Sequence, residues 1–383
     1  MSETPPQAYI SKVHLKGYKS IKDLEIDFKP GLNIIIGPNG SGKTNFLEFL
    51  HYLNFYEVPS KQPYMGDYTF KDSEKEVRIV QNQYSDVELN ELVLIHATNK
   101  YLNNELKVES RYKFSNRKIE PVYDLGEDDF VNNYEDLFTS LIIHDNPFKK
   151  ELASGLKGMI NIFEGKDKQT HYHIDIDSVR RDTYLDTEQA IRNIFDYDIE
   201  KNKLDIRSEF KQNLQSSTPI KDLKVVDNRI NFKEEERGLS FDNLTLAFKV
   251  NDRWLLWNEL SDGTKRIFYL VSALNAAHQV VFLEEPELGI HPDQLYKLMD
   301  FLKEQSKTKQ VIITTHSPEV LSILGNDELD RIVVTRYDAE KGTQMHHLSE
   351  KQIRKGQIYI EEVGNLSSFW VHSNLEEYET EAQ

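Results

Sequence analysis

Two stretches of the chain carry short apolar runs, and the residues between them follow a weaker, mixed pattern. Leu32, Ile34, Ile35 and Ile36 make one such run, which predicts a buried parallel strand. Phe46, Leu47, Phe49, Leu50 and Leu53 then recur at helical spacing. Ahead of that run, residues 9–28 read as two antiparallel strands, because Leu24, Ile26 and Phe28 alternate with Asp23, Glu25 and Asp27. Pro30-Gly31 supplies the turn between them and the apolar run. Strong patterning returns after Trp254. Ile267, Leu270, Val271 and Leu274 define one helical face, residues 279–283 a buried strand, and Leu295, Leu298, Met299 and Leu302 a second helix. Residues 310–314 and 331–335 read as two further buried strands. Strands alternating with helices at this spacing predict a mostly parallel sheet with helices on both faces.

Between residues 58 and 249 the pattern breaks into pieces. Residues 77–84, 91–96 and 105–114 read as strands, and 134–163 and 188–214 as helices broken by polar turns. No heptad pattern is sustained and no repeat has a fixed period, so the segment reads as a large mixed α+β insertion rather than a coiled-coil arm. The expected layout is therefore residues 1–57 and 250–340 as two halves of one domain, 58–249 as the insertion, and 341–383 as an extension.

Composition narrows the class. The 383 residues include no cysteine, which excludes disulfides, thiolate metal sites and cysteine nucleophiles. Met-Ser-Glu-Thr-Pro-Pro has neither the basic nor the apolar region of a signal peptide, and no apolar run reaches the roughly 20 residues that cross a bilayer. A cytoplasmic protein with no membrane partner is the expectation. A formal charge of −17 does not favour broad attraction to nucleic acid, although it leaves room for a local basic groove. Residues 374–383 carry Glu376, Glu377, Glu379 and Glu381 with no cation, the composition of a solvated, disordered end.

Candidate chemistry begins where the first apolar run ends. Gly37-Pro38-Asn39-Gly40-Ser41-Gly42-Lys43-Thr44 fits GxxxxGK[ST] and sits between a predicted strand and a predicted helix, the setting the motif needs. Its glycines let backbone N–H groups turn toward the phosphates of ATP, Lys43 adds a mobile positive charge, and the Thr44 hydroxyl suits Mg²⁺. Leu260-Ser-Asp-Gly-Thr opens the Ile267 helix and puts Ser261 and the Gly263 amide at an anion-attracting terminus. Taken alone, that sequence is an ordinary N-cap. The run Val280-Val-Phe-Leu-Glu-Glu-Pro-Glu ends a strand in adjacent carboxylates. Glu284 can hold a Mg²⁺-bound water, while Glu285, pointing elsewhere, can polarise an attacking water. Thr314-Thr-His-Ser-Pro ends the next strand with His316, suited to hydrogen-bond a terminal phosphate. His171-Tyr-His173 and His346-His347 lack clear third ligands for a metal.

In this order the motifs resemble the ABC-class ATPases of the SMC/RecF/OLD branch. Residues 37–44 match the Walker A motif, 260–264 the signature, 280–285 Walker B with its catalytic glutamate, 288–292 the D-loop region, and His316 the switch histidine. The opening Leu15-Lys-Gly-Tyr-Lys-Ser, followed by Phe28-Lys-Pro-Gly-Leu-Asn, is similar to the first strands of that branch. Glu284 departs from the usual aspartate, and the Q-loop glutamine is open between Gln81 and Gln83. The resemblance implies an ABC-ATPase head with an antiparallel N-terminal β portion. It also implies ATP held between two copies, with Ser261 and Gly263 of one copy covering the phosphate loop of the other, in a homodimer or higher homo-oligomer. Glu285 would be the general base. His316 is followed by 67 residues, fewer than a Toprim nuclease domain needs, so a nuclease or toxin effector is expected on a separate chain. Short ATPases of this type resemble the ATP-binding subunits of bacterial antiphage modules such as Septu and PARIS. A RecF-like DNA repair ATPase is the second reading and a transporter subunit the third.

Overall fold

The structure, a computed structural model, describes residues 8–51, 63–72, 76–88, 91–115, 118–125, 172–175, 194–198, 203–233, 238–276, 280–364 and 366–372. The helix expected over 134–163, His171 and the acidic end 374–383 lie outside these residues. The chain divides into two units. The first comprises Met1–Ile142, His278–Pro286 and Lys303–Gln383, and the second Ile143–Ala277 and Glu287–Leu302.

Along the first unit run β1 (Ala8–Tyr18), β2 (Ile21–Asp27), β3 (Leu32–Ile36), helix α1 (Lys43–His51), β4 (Tyr64–Asp72), β5 (Glu76–Glu88), β6 (Glu91–Leu102), β7 (Glu105–Ser115) and β8 (Lys118–Leu125). In the second unit lie β9 (Tyr172–Asp175), β10 (Phe195–Asp198), β11 (Lys203–Ile206), α2 (Ser208–Ser217), β12 (Ile220–Lys233), β13 (Gly238–Val250), β14 (Arg253–Leu256) and α3 (Asp262–Ala276). The chain continues through β15 (Val280–Glu284), α4 (Pro292–Gln305), β16 (Gln310–Thr315), β17 (Ile332–Asp338), β18 (Gly342–His347), α5 (Glu350–Val363) and α6 (Leu366–His372). Among the described residues no helix is long and apolar enough to cross a membrane.

One 12-stranded sheet organises the first unit, in the order β15-β16-β3-β17-β18-β2-β1-β4-β5-β6-β7-β8. The pairs β15–β16, β16–β3 and β3–β17 are parallel, and every later pair is antiparallel. All residues of β3, β15 and β16 are buried, which is why their sequences are mostly apolar without alternation. The sheet is thus mixed, and its antiparallel part is the larger. The strands expected at 77–84, 91–96 and 105–114 exist as β5, β6 and β7, and they extend this sheet by antiparallel neighbours. Chain order hid that continuity, because β4 pairs with β1 across the intervening β2, β3 and α1.

Helix α1 packs on one face of the sheet through a core that includes Phe46, Phe49, Ile35, Phe282, Ile312 and Val333. Tyr18 and Tyr64 meet Phe49 edge-on at 5.2 and 5.6 Å between ring centres, contacts worth about 0.5–1.5 kcal/mol each beyond area burial. Gly66 makes room for that ring: a Cβ there would lie 2.5 Å from Phe49 Cζ. In the second unit, Phe268 of α3 is ringed by Phe210, Phe248 and Trp257 at 5.4–5.7 Å, which fixes the helix whose N-terminus carries Ser261. The helix expected over 188–214 is corrected. Among the described residues of that span, 195–206 contain the antiparallel pair β10–β11, helix α2 begins at Ser208, and 188–193 lie outside the described residues. Buried Phe195, Leu204 and Ile206 flank exposed Asp196 and Asp205, a period of two that a helical reading passes over.

Candidate functional site

Parallel register brings the candidate residues of the first unit to one edge of the sheet. Glu284 of β15 lies level with Thr314 of β16, and Thr314 level with Ile35 of β3. The chain leaving β3 is therefore the glycine loop, the chain leaving β15 starts at Glu285, and the chain leaving β16 starts at His316. This is the carboxyl edge where α/β sheets place their ligands.

The loop is built as a cradle. Gly40 and Gly42 have φ of 80° and 102°, backbone that glycine adopts without penalty. A Cβ at Gly37 would strike the Thr335 carbonyl oxygen at 2.1 Å, whereas one at Gly40 would meet nothing within 4 Å. The loop is thus pressed against β17 at one end and open at its crest. Ser41 is buried, and its hydroxyl finds no partner among the described residues. Lys43, only 5% exposed, folds back so that its ammonium donates to the carbonyls of Gly37 at 2.7 Å and Pro38 at 3.0 Å. A phosphate arriving at the loop offers that charge stronger acceptors than neutral carbonyls.

The carboxylates divide as their adjacency demands. Thr44 Oγ1 donates to Glu284 Oε1, so a hydroxyl and a buried carboxylate oxygen converge. Two hard oxygen ligands side by side fit Mg²⁺, which takes one or two protein oxygens and completes its shell with water and phosphate. Glu285 turns away. Its φ of 43° puts a non-glycine residue in the left-handed region, at a cost of about 1–2 kcal/mol. Its N–H donates to the Thr314 carbonyl at 2.8 Å, and its Oε1 meets His316 Nδ1 at 3.0 Å. A carboxylate and an imidazole in contact at a strand edge form a proton-accepting pair.

The remaining candidates are placed as follows. Ser261 immediately precedes α3, and its Oγ accepts from the Thr264 N–H at 3.3 Å. Asp262 is fully exposed. A Cβ on Gly263 would lie 2.8 Å from the Gly289 carbonyl oxygen, so this helix start and the 288–292 turn touch within the second unit. Gln81 and Gln83 are both buried on β5, opposite Gly66 and Tyr64 respectively, on the face that α1 covers. Gln83 lies one step nearer the β1–β2 turn beside the loop, since Tyr64 adjoins Pro63, whose carbonyl crowds Gly17. On the other face of the sheet, a cup of about 290 Å³ is lined by Lys12, His14, Glu25, Asp67, Thr69 and Arg78. Its charges pair with one another, Lys12 with Glu25 and Arg78 with Asp67. Among the described residues no three His, Asp or Glu gather as a metal-binding set. His346 lies on β18, where burial and the nearby Arg336 and His347 pull its imidazole down to about 4. Sequence reasoning missed Ser20, Asn45 and Thr343, which press on the loop from behind. Asn45, directly after the motif, carried a local signal, whereas Thr343 had none.

A family model described as "AAA domain, putative AbiEii toxin, Type IV TA system" matches residues 32–322. The chain belongs to this AAA-domain family. With its motif order, this AAA-domain protein is an ABC-class ATPase domain of the SMC/RecF/OLD-like type. It is 24% identical to "Endonuclease GajA" of Bacillus cereus over 84% of its own length, and spans 58% of that protein. It is 23% identical to an "ATP/GTP phosphatase" of Helicobacter pylori, over 82% of this chain and 87% of that one. A stretch of 44 residues, 12% of this chain and 12% of the relative, is 52% identical to the "DNA replication and repair protein RecF" of Desulfitobacterium hafniense. Among solved structures, an Smc head domain from Pyrococcus furiosus aligns with a TM-score of 0.49 and 15% identity, covering 94% of this chain and 100% of that one.

Proposed function

We propose that this AAA-domain protein hydrolyses ATP and uses the nucleotide to join two copies of itself, thereby controlling an effector carried on another chain. The observation that carries the reading is the meeting, at one sheet edge, of Thr44 with Glu284 and of Glu285 with His316. Lys43 and the loop amides would hold the phosphates, and Thr44 and Glu284 would hold Mg²⁺. When bound, the ion supplies charge neutralisation of the phosphate oxygens. Glu285, oriented by His316, accepts a proton from the attacking water. Ser261 and Gly263 of a second copy complete the site, so hydrolysis loosens the pair.

The similarity to a phosphatase of ATP and GTP supports the hydrolysis. The similarity to an endonuclease supports an effector that cuts nucleic acid, and the antiphage role rests on the resemblance to the ATP-binding subunits of bacterial defence modules. The formal charge of −17 suits a protein partner better than tight DNA binding. The test is Glu285→Gln. Its turnover falls about 10²–10⁴-fold, the usual contribution of a general base, while Mg²⁺ and ATP shift the chain from monomer to dimer in analytical ultracentrifugation. Normal turnover in that variant, or a monomer at high concentration, defeats the reading. The 44-residue similarity to RecF favours a second reading, ATP-dependent binding to DNA. Binding that weakens steeply as salt rises would support it.

A further inference from the structure

We propose that Thr343, acting with Ser20 and Asn45, is a positioning residue for the phosphate loop; the proposal rests on the nucleotide reading of that loop. Three segments far apart in sequence close on Gly42. A Cβ at that glycine would lie 2.0 Å from Thr343 Oγ1 and 2.9 Å from Ser20 Oγ. Those two hydroxyls are 2.7 Å apart, and Asn45 Nδ2 donates to Ser20 Oγ at 2.7 Å. The Thr343 N–H donates to the Ser20 carbonyl at 2.8 Å, and Gly342 allows the approach, since a Cβ there would lie 2.4 Å from the same oxygen.

Chemistry separates this arrangement from plain packing. Thr343 is fully buried, and at such a site valine would fill the same volume without bringing a polar group to bury. The hydroxyl is instead bonded to Ser20, which in turn is bonded to the first turn of α1. The relay joins the β1–β2 turn, the β17–β18 hairpin and the helix that begins at Lys43. At the other end of the loop, Gly37 abuts the Thr335 carbonyl on the same hairpin. The hairpin thus braces both ends of the loop, and Gly42 keeps its left-handed backbone because the space behind it is filled. A loop already held in its binding shape loses less entropy when phosphates arrive.

The experiment uses the full chain. Hydrogen exchange of residues 37–45 is followed without nucleotide, and a fluorescent ATP analogue is titrated with Mg²⁺. Thr343→Val accelerates exchange in that segment and weakens the analogue about tenfold, the loss expected for one buried hydrogen bond left unmade. Thr343→Ser, which keeps the hydroxyl, stays within about twofold of wild type, and Asn45→Ala reproduces the valine effect more weakly. Wild-type exchange and affinity in Thr343→Val overturn the proposal. So does a serine variant as impaired as the valine one, because shape and not the hydroxyl would then matter. If the valine variant does not fold, Asn45→Ala decides: unchanged exchange of residues 37–45 refutes the relay. If wild type binds no analogue, the nucleotide reading fails while the exchange measurements still judge the relay.

Discussion

The phosphate loop and the start of α3 are both glycine-bearing helix N-termini, yet they are built in opposite ways. Residues 37–44 are held from many sides: β17 presses on Gly37, Thr343 and Ser20 on Gly42, and Glu284 takes the Thr44 hydroxyl. The start of α3 is capped by its own first turn and approached from outside at Gly263, by the Gly289 carbonyl. Ser261 bonds its own first turn, and Asp262 stands fully exposed. The difference teaches that similar motif letters can mark either an internally braced binding element or an outward surface. On the proposed function, the first would grip the phosphates and the second would act on a second copy.

Lys43→Ala probes the braced side and carries the largest expected effect. Losing one charge-assisted contact to phosphate weakens ATP about 100-fold in a fluorescent titration. An affinity within threefold of wild type would remove the loop from nucleotide binding. Ser261→Arg probes the outward side. If the altered residue acts on a second copy as proposed, turnover falls at least about tenfold while ATP binding by the monomer is unchanged. Loss of monomer binding instead would erase the distinction between the two helix starts.

Gly263→Val asks how tightly the start of α3 is packed. Its side chain would collide with the Gly289 carbonyl, so urea unfolding shows a loss of about 1–3 kcal/mol. His346→Gln gives the smallest effect and concerns the hairpin behind the loop. The folded imidazole is held near 4 against an ordinary value of 6.5, so the protein keeps this stability above pH 6.5 and loses it as pH falls toward 4. His346 is half-buried, and screening leaves on the order of 1 kcal/mol. The variant's unfolding midpoint should therefore drop less than wild type between pH 7 and 4.5. An equal drop would assign the acid sensitivity elsewhere.

The parallel core was legible in the sequence because strands buried on both faces are mostly apolar, with their polar residues few and mainly at the ends. Residues 32–36, 280–284 and 310–315 announce themselves, as do the motifs at their ends. Of the antiparallel wing, β5, β6 and β7 were legible as strands, whereas β4, β8 and the sheet they join were not. Nothing near β4 states that it pairs with β1, and the alternation in residues 195–206 was hidden by apolar spacings that also fit a helix.

By itself the sequence determined the elements of the parallel core and the candidate motifs at their ends, since both depend on neighbours within a few residues. Tertiary structure alone decided which ends meet. Gln310 uses its side-chain amide to bond both backbone groups of Ile10, 300 residues away, and Thr343 reaches the turn at Ser20 across 323. A buried polar group must find a partner wherever the fold supplies one, and local sequence does not encode that address.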